Sequence, residues 1–142
     1  MATLQRALEI AVDAHKKQKQ KDGSPYAFHP LRLALSLPDD EQKIVALLHD
    51  VVEDTNLTFE DLVAEGFSDT VLAALRLLTH DDGSPYDEYV ERLASNPLAR
   101  AVKLADLTDN MDIKRIPQPT ERDFARIEKY HRAWTRLKGE LA

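Results

Sequence analysis

The chain has no cysteine among its 142 residues, and this excludes disulfides and every thiolate metal site. Any metal ion it holds must be bound by histidine and carboxylate, and only five histidines are present. Also missing is a long apolar run. Nothing approaches the ~20 residues a bilayer-spanning helix needs, and Ala2 to Gln20 is amphipathic and charged, unlike a secretory leader. Strand-like alternation, linkers and low-complexity segments are absent as well. Positive charge is short, with 19 Lys and Arg against 25 Asp and Glu for a formal net charge of −6. Such a surface repels nucleic-acid phosphates, although a local basic pocket for a small anion remains compatible. What is left, 43% apolar and 31% charged residues, is the composition of a soluble globular protein. It reads as one domain over residues 1–142, with no membrane partner and a cytoplasmic location.

Hydrophobic periodicity predicts an all-α fold, a single-domain bundle of about seven or eight helices. Leu4, Leu8, Ala11, Val12 and His15 recur at helical spacing, with Lys16 to Lys21 as that helix's polar end. Asp22-Gly23-Ser24-Pro25-Tyr26 breaks it, and His29-Pro30 opens a short second helix with Leu31, Ala34, Leu35 and Leu37 toward a core. Asp39 and Asp40 start a central helix. Thr58 and Asp61 form a capping box for a helix that Gly66 stops, and Ser68 caps the next, whose stripe is Val71, Leu72, Leu75 and Leu78. Asp82-Gly83-Ser84-Pro85-Tyr86 repeats residues 22–26 letter for letter with no longer repeat around it, so one turn chemistry is used twice. Pro97 opens a helix running to about Ile113. Thr120 and Asp123 cap the last, whose apolar edge is Phe124, Ile127, Tyr130 or His131, Trp134, Leu137 and Leu141. That edge reads as core and is compatible with a homo-oligomer contact.

The stretch Ala46-Leu47-Leu48-His49-Asp50-Val51-Val52-Glu53-Asp54-Thr55 departs from this plain pattern. In a continuous helix His49, Asp50, Glu53 and Asp54 fall on one face, beside the apolar Ile44, Val45, Leu47, Leu48, Val51 and Val52. A helix end rich in acids is ordinarily a solvated face. Crowded carboxylates next to a buried stripe repel one another unless something pairs with them, and a bound cation resolves that. Two further residues suit such a site. His29 follows a turn at the start of a helix, and Asp106 is a lone acid in the apolar segment Val102-Lys103-Leu104-Ala105-Asp106. His29, His49, Asp50 and Asp106 would supply two nitrogen and two oxygen ligands.

His29, the His49-Asp50 pair and Asp106, in that order on an all-helical chain, resemble the HD superfamily of metal-dependent phosphohydrolases. More narrowly, the run from Lys21 to Pro30, the run from Ala46 to Thr55, and Val102 to Asp106 with Asn110 resemble the hydrolase domain of the RelA/SpoT alarmone enzymes, over roughly residues 5 to 115. The resemblance implies a stand-alone small alarmone hydrolase. It would remove the 3′-pyrophosphate of guanosine or adenosine alarmones such as (p)ppGpp, giving GDP or GTP and pyrophosphate, usually with one Mn2+ ion. By that likeness His29, His49, Asp50 and Asp106 are the metal ligands. Glu53 and Asp54 match the catalytic acidic pair that orients a water or takes its proton. Lys21, Tyr26 and Asn110 match substrate-binding positions.

The sequence also departs from the family, with Gln20 and Leu107 where basic residues are common and Asp112 where arginine is frequent. Phosphate contacts would then fall to Lys103, Lys114 or Arg115, or the substrate carries less charge. Two other readings stand beside the first, an HD-type nucleotidase acting on another phosphate ester and a non-catalytic nucleotide-binding module. Of the remaining histidines, His15 is expected to pack near the site, His80 to be exposed, and His131 to lie at the surface or an interface.

Overall fold

The computed structural model describes residues 2–80 and 83–139. Among these the fold is all-α, in nine α-helical segments: α1 (Leu4–Ala14), α2 (Phe28–Ser36), α3 (Asp40–Leu48), α4 (Val51–Asp54), α5 (Phe59–Glu65), α6 (Asp69–Leu78), α7 (Tyr86–Ala94), α8 (Pro97–Asn110) and α9 (Glu121–Gly139). A single 3-10 turn spans Ile113–Arg115, and one isolated bridge pairs Lys19 with Pro25. No described helix is long and apolar enough to cross a membrane.

Helix starts follow local chemistry. The side chains of Thr3, Asp39, Ser68 and Asn96 accept the orphan N–H groups of α1, α3, α6 and α8. Thr58 and Asp61 form the expected reciprocal capping box on α5, which Gly66 ends. Gly23 and Gly83 both adopt positive φ, 88° and 75°, but the first copy runs into the Lys19–Pro25 bridge while Pro85 leads directly into α7. Asp82 and Leu141 lie outside the described residues.

Helix α3 is the hub. It packs against α1, α2, α6 and α8, while α9 closes over α7 and α8. Val45, Ala46, Leu47, Leu48 and Val51 are almost wholly buried. Each such valine or leucine side chain contributes about 2 kcal/mol by leaving water, and this anchors a four-residue α4 that has no independent stability.

Three sequence expectations shift. The first helix stops at Ala14 instead of running to Lys21, because the chain turns inward at His15 and the Gln18 N–H closes onto the His15 carbonyl at 2.9 Å. In α2 the inward residues are His29, Pro30, Leu33 and Ala34, leaving Leu35 74% exposed. In α9 the inward row is Asp123, Ile127, Tyr130, Ala133 and Leu137, so Phe124, one residue off, is 54% exposed. Asp123 takes the inward place because it caps α9 through the Thr120 N–H, at 2.9 Å, and receives the Lys21 ammonium at 2.5 Å.

Candidate active site and metal centre

The central helix is interrupted where the sequence predicted continuity. The His49 Nδ1–H donates to the Ala46 carbonyl at 2.6 Å, taking the acceptor that a continuous helix would give to the Asp50 N–H. α3 therefore ends at Leu48 and α4 begins at Val51. On an unbroken helix neighbouring side chains diverge by about 100° and cannot share a ligand. Here the break brings Asp50 Oδ2 to 3.0 Å from His49 Nε2. The expectation of one helical face carrying four polar groups is corrected accordingly.

Distant segments complete the cluster. His29, in the first turn of α2, brings Nε2 to 2.9 Å from Asp106 Oδ1 and 3.9 Å from Asp50 Oδ2. Asp106, on α8, lies 3.3 Å from His49 Nε2 through the same oxygen. One ligand atom each from His29, His49 and Asp106 fall within 4.8 Å of one another, and all three residues are buried. The Tyr26 hydroxyl donates to Asp50 Oδ2 at 2.5 Å.

These donors suit a cation. With Nδ1–H committed to Ala46, the Nε2 of His49 is buried with two carboxylate oxygens within 3.3 Å, so it carries either a proton or a cation between itself and them. Lone pairs facing carboxylates repel unless a positive charge lies between them. Burial alone would push the His49 imidazole down, but the charges of Asp50 and Asp106 hold it well above its usual range. Burial would likewise raise Asp106, and Lys103 and His49 hold it well below the carboxylate range.

Lys103 and Asn110 both reach Asp106. The Lys103 ammonium donates to Oδ2 at 3.0 Å, and the Asn110 amide to Oδ1 at 3.0 Å. Burial would lower the Lys103 ammonium, but Asp106, with Tyr89 and Tyr86, keeps it well above its normal value. Its Nζ lies 5.2 Å from the Tyr89 ring centre and 5.9 Å from that of Tyr86. Removing one partner of such a buried pair is costly. Lys103→Met is therefore expected to destabilise the metal-free protein by about 3 kcal/mol, or roughly 10 °C in Tm, with part of the loss restored by a divalent cation. Thermal melts with and without Mn2+ read this directly, and coincident wild-type and variant melts would contradict it.

Glu53 and Asp54 sit one turn beyond Asp50, at the solvent edge. Glu53 Oε1 accepts the His80 backbone N–H at 3.1 Å. Partial burial, followed by the charge of Asp50, raises both carboxyls above their ordinary values. His80 itself is half-buried, not exposed as expected, because its ring stacks on Tyr89 at 4.5 Å between centres and its Nε2 meets the Ser84 carbonyl at 2.7 Å. His15 is buried and packs on Tyr26, and His131 is exposed.

A cavity of about 400 Å3 opens onto His29, Asp50 and Asp106. That volume suits a nucleotide-sized ligand. Lys19, Lys21, Arg115 and Arg126 bring positive charge to its wall, and Ile116, Ile127 and Tyr130 bring apolar surface. Tyr26, Lys103 and Asn110 line it as well, whereas Lys114 is exposed elsewhere and Glu53 and Asp54 stand outside the lining.

Asp109 escaped sequence reasoning. It accepts from His29 Nδ1 at 2.6 Å and from Arg32 at 2.8 and 2.9 Å. Its spacing three residues after Asp106 placed it on the same helical face, a signal that was available. Asp123, Arg126 and the Tyr86–Tyr89 pair were also unforeseen at the site, since α9 and α7 reach it only through packing.

A helical scaffold that gathers an HD pair at a helix break with a distant histidine and aspartate defines a hydrolase of the HD type. No protein-family model matches the chain. A guanosine-3′,5′-bis(diphosphate) 3′-pyrophosphohydrolase of Aquifex aeolicus is 32% identical over 97% of this chain, which spans only 23% of that longer enzyme. The corresponding hydrolase MESH1 of Drosophila melanogaster is 32% identical, with 91% of this chain and 79% of that protein covered. Among solved structures, a metazoan ortholog of SpoT that hydrolyses ppGpp superposes with a TM-score of 0.76 at 26% identity, covering 96% of this chain and 85% of the other. The chain belongs to the MESH1 family of RelA/SpoT-type 3′-pyrophosphohydrolases.

Proposed function

We propose that the protein hydrolyses the 3′-pyrophosphate of a ppGpp-type alarmone, giving GDP or GTP and pyrophosphate, with Mn2+ as its cation. The observation that carries this is the buried His49 Nε2 facing Asp50 and Asp106, two carboxylates that with His29 line a nucleotide-sized cavity, in a chain similar to MESH1 over most of both lengths. His29, His49, Asp50 and Asp106 would hold the cation. Bound there, it supplies Lewis-acid polarisation of the phosphoryl group and lowers the pKa of water. Glu53 and Asp54 would orient the attacking water and take its proton, for which a carboxyl raised above its ordinary range is suited. Glu53 Oε1 is tied to His80, and Oε2 makes no hydrogen bond among the described residues. Water adds to the phosphorus attached to O3′, the P–O3′ bond breaks, O3′ takes up a proton to become the 3′-hydroxyl of GDP or GTP, and pyrophosphate is released. Lys21, Tyr26, Lys103 and Asn110 line the substrate side, the last three also ordering the ligand carboxylates.

A second reading, a nucleotidase for a less charged phosphate ester, is favoured by one feature. The cavity's cations are largely matched by carboxylates: Lys21 and Arg126 by Asp123 at 2.5 and 3.6 Å, and Arg115 by Asp109 and Asp112 at 3.3 and 3.7 Å. Incubation with Mn2+ and ppGpp, ppApp or a panel of nucleoside monophosphates separates the two. Pyrophosphate release from an alarmone is expected. Orthophosphate release from monophosphates alone would replace the first reading with the second.

A further inference from the structure

Asp109 is the most heavily engaged carboxylate near the site that the proposed chemistry leaves unused. Its side chain is 13% exposed. Oδ2 accepts the His29 Nδ1–H at 2.6 Å, and both oxygens receive the fork of Arg32, Nε to Oδ1 at 2.8 Å and Nη2 to Oδ2 at 2.9 Å. Arg115 approaches Oδ2 at 3.3 Å and donates to the Asp109 carbonyl. Gln20 in turn accepts from both arginines. The carboxylate is thus fixed from α2, α8 and the 3-10 turn, with its lone pair directed at one nitrogen of one histidine.

That geometry has a specific consequence. A neutral imidazole carries one proton, and an acceptor at Nδ1 places it there, freeing Nε2 as a lone pair. His29 Nε2 is the atom that hydrogen-bonds Asp106 Oδ1 at 2.9 Å and faces Asp50 at 3.9 Å, so without a cation a carboxylate acceptor stands at each ring nitrogen. His49 achieves the same assignment with a backbone acceptor, the Ala46 carbonyl. The two rings are therefore held alike by different means, and only the hold on His29 depends on a side chain.

Resting on the metal-centre reading above, we propose that Asp109 is a positioning residue that holds His29 in its Nδ1–H form with Nε2 aimed into the cluster. A purely structural alternative exists, in which the Asp109–Arg32 fork merely fastens α8 to α2. The two accounts differ in what the Arg32 partner does. If Asp109 acts through His29, losing the charge of Asp109 weakens the metal, whereas losing Arg32 leaves the Nδ1 acceptor in place.

The test compares wild type, Asp109→Asn and Arg32→Gln by calorimetric titration with Mn2+, taking the dissociation constant from the binding-competent fraction so that partial unfolding is removed. Outer partners of metal-bound histidines are typically worth a factor of about 10 to 100 in affinity. Asp109→Asn is expected to weaken Mn2+ binding by at least tenfold, and Arg32→Gln by less than about threefold. With diamagnetic Zn2+ bound, the His29 Nδ1–H proton should resonate far downfield in wild type and Arg32→Gln, and move upfield in Asp109→Asn. Affinity in Asp109→Asn within threefold of wild type, or equal losses in the two variants, would overturn the proposal. Wild type that binds neither ion would overturn the metal-centre reading itself, and this inference with it.

Discussion

His49→Ala is expected to lose bound metal and hydrolysis together. The imidazole performs two tasks that no neighbour can assume. Its Nδ1–H occupies the Ala46 carbonyl and ends α3, and its Nε2 is the buried donor between Asp50 and Asp106. With the ring gone, the Ala46 carbonyl becomes available to the Asp50 N–H. A helix that continues there swings Asp50 away from the cluster. Both effects point the same way, so the loss in Mn2+ affinity should exceed about 100-fold and pyrophosphate release should fall below detection. Metal content after dialysis, measured beside turnover of ppGpp, checks both. A variant that kept full activity would refute the assignment of this residue to the centre.

Glu53→Gln is expected to separate what His49→Ala loses together. The amide oxygen of glutamine can still accept the His80 N–H, so the anchoring of α4 to the α6–α7 connection persists. No ligand is touched, and metal affinity should stay within about threefold of wild type, far less than the effect of changing a direct ligand's partner. What disappears is a carboxylate able to take a proton, and a positioned general base accounts for about 10²–10⁴ in rate. The expected result is a fall in kcat of that order with KM little changed, since the loss is confined to the transition state. Parallel loss of metal would show instead that Glu53 is a ligand. If Asp54 carries the proton, Asp54→Asn will show the larger fall in kcat, and comparison of the two variants divides the work between them.

Much of the fold was legible because its signals are local. A capping box needs only Thr58 and Asp61, a helix stop only Gly66, and a core stripe only the spacing of Val71, Leu72, Leu75 and Leu78. Exposure of Leu35 and Phe124 was misjudged for the complementary reason. Which flank of an amphipathic helix faces inward depends on its partner, and in α9 the capping and pairing of Asp123 override the larger apolar residue beside it.

The candidate site divides along the same line. From sequence alone came the all-α class, the absence of thiolate ligands, and the pairing of His49-Asp50 with His29 and Asp106 as the residues to consider. Each follows from residue type and order, which a chain carries without folding. Three things only the tertiary structure decided: that His49 breaks its own helix so that two adjacent residues can face one point, that Lys103 and Asn110 spend their donors on Asp106, and that Asp109 holds His29. The first two rest on contacts within four residues along the chain, whose side-chain geometry only the folded backbone sets, while the third joins distant segments. A hydrogen bond between residues 80 positions apart, such as His29 to Asp109, costs chain entropy that only the packed core can offset. Its partners are therefore chosen by packing, and only one of the two, Asp109, can be placed from local spacing.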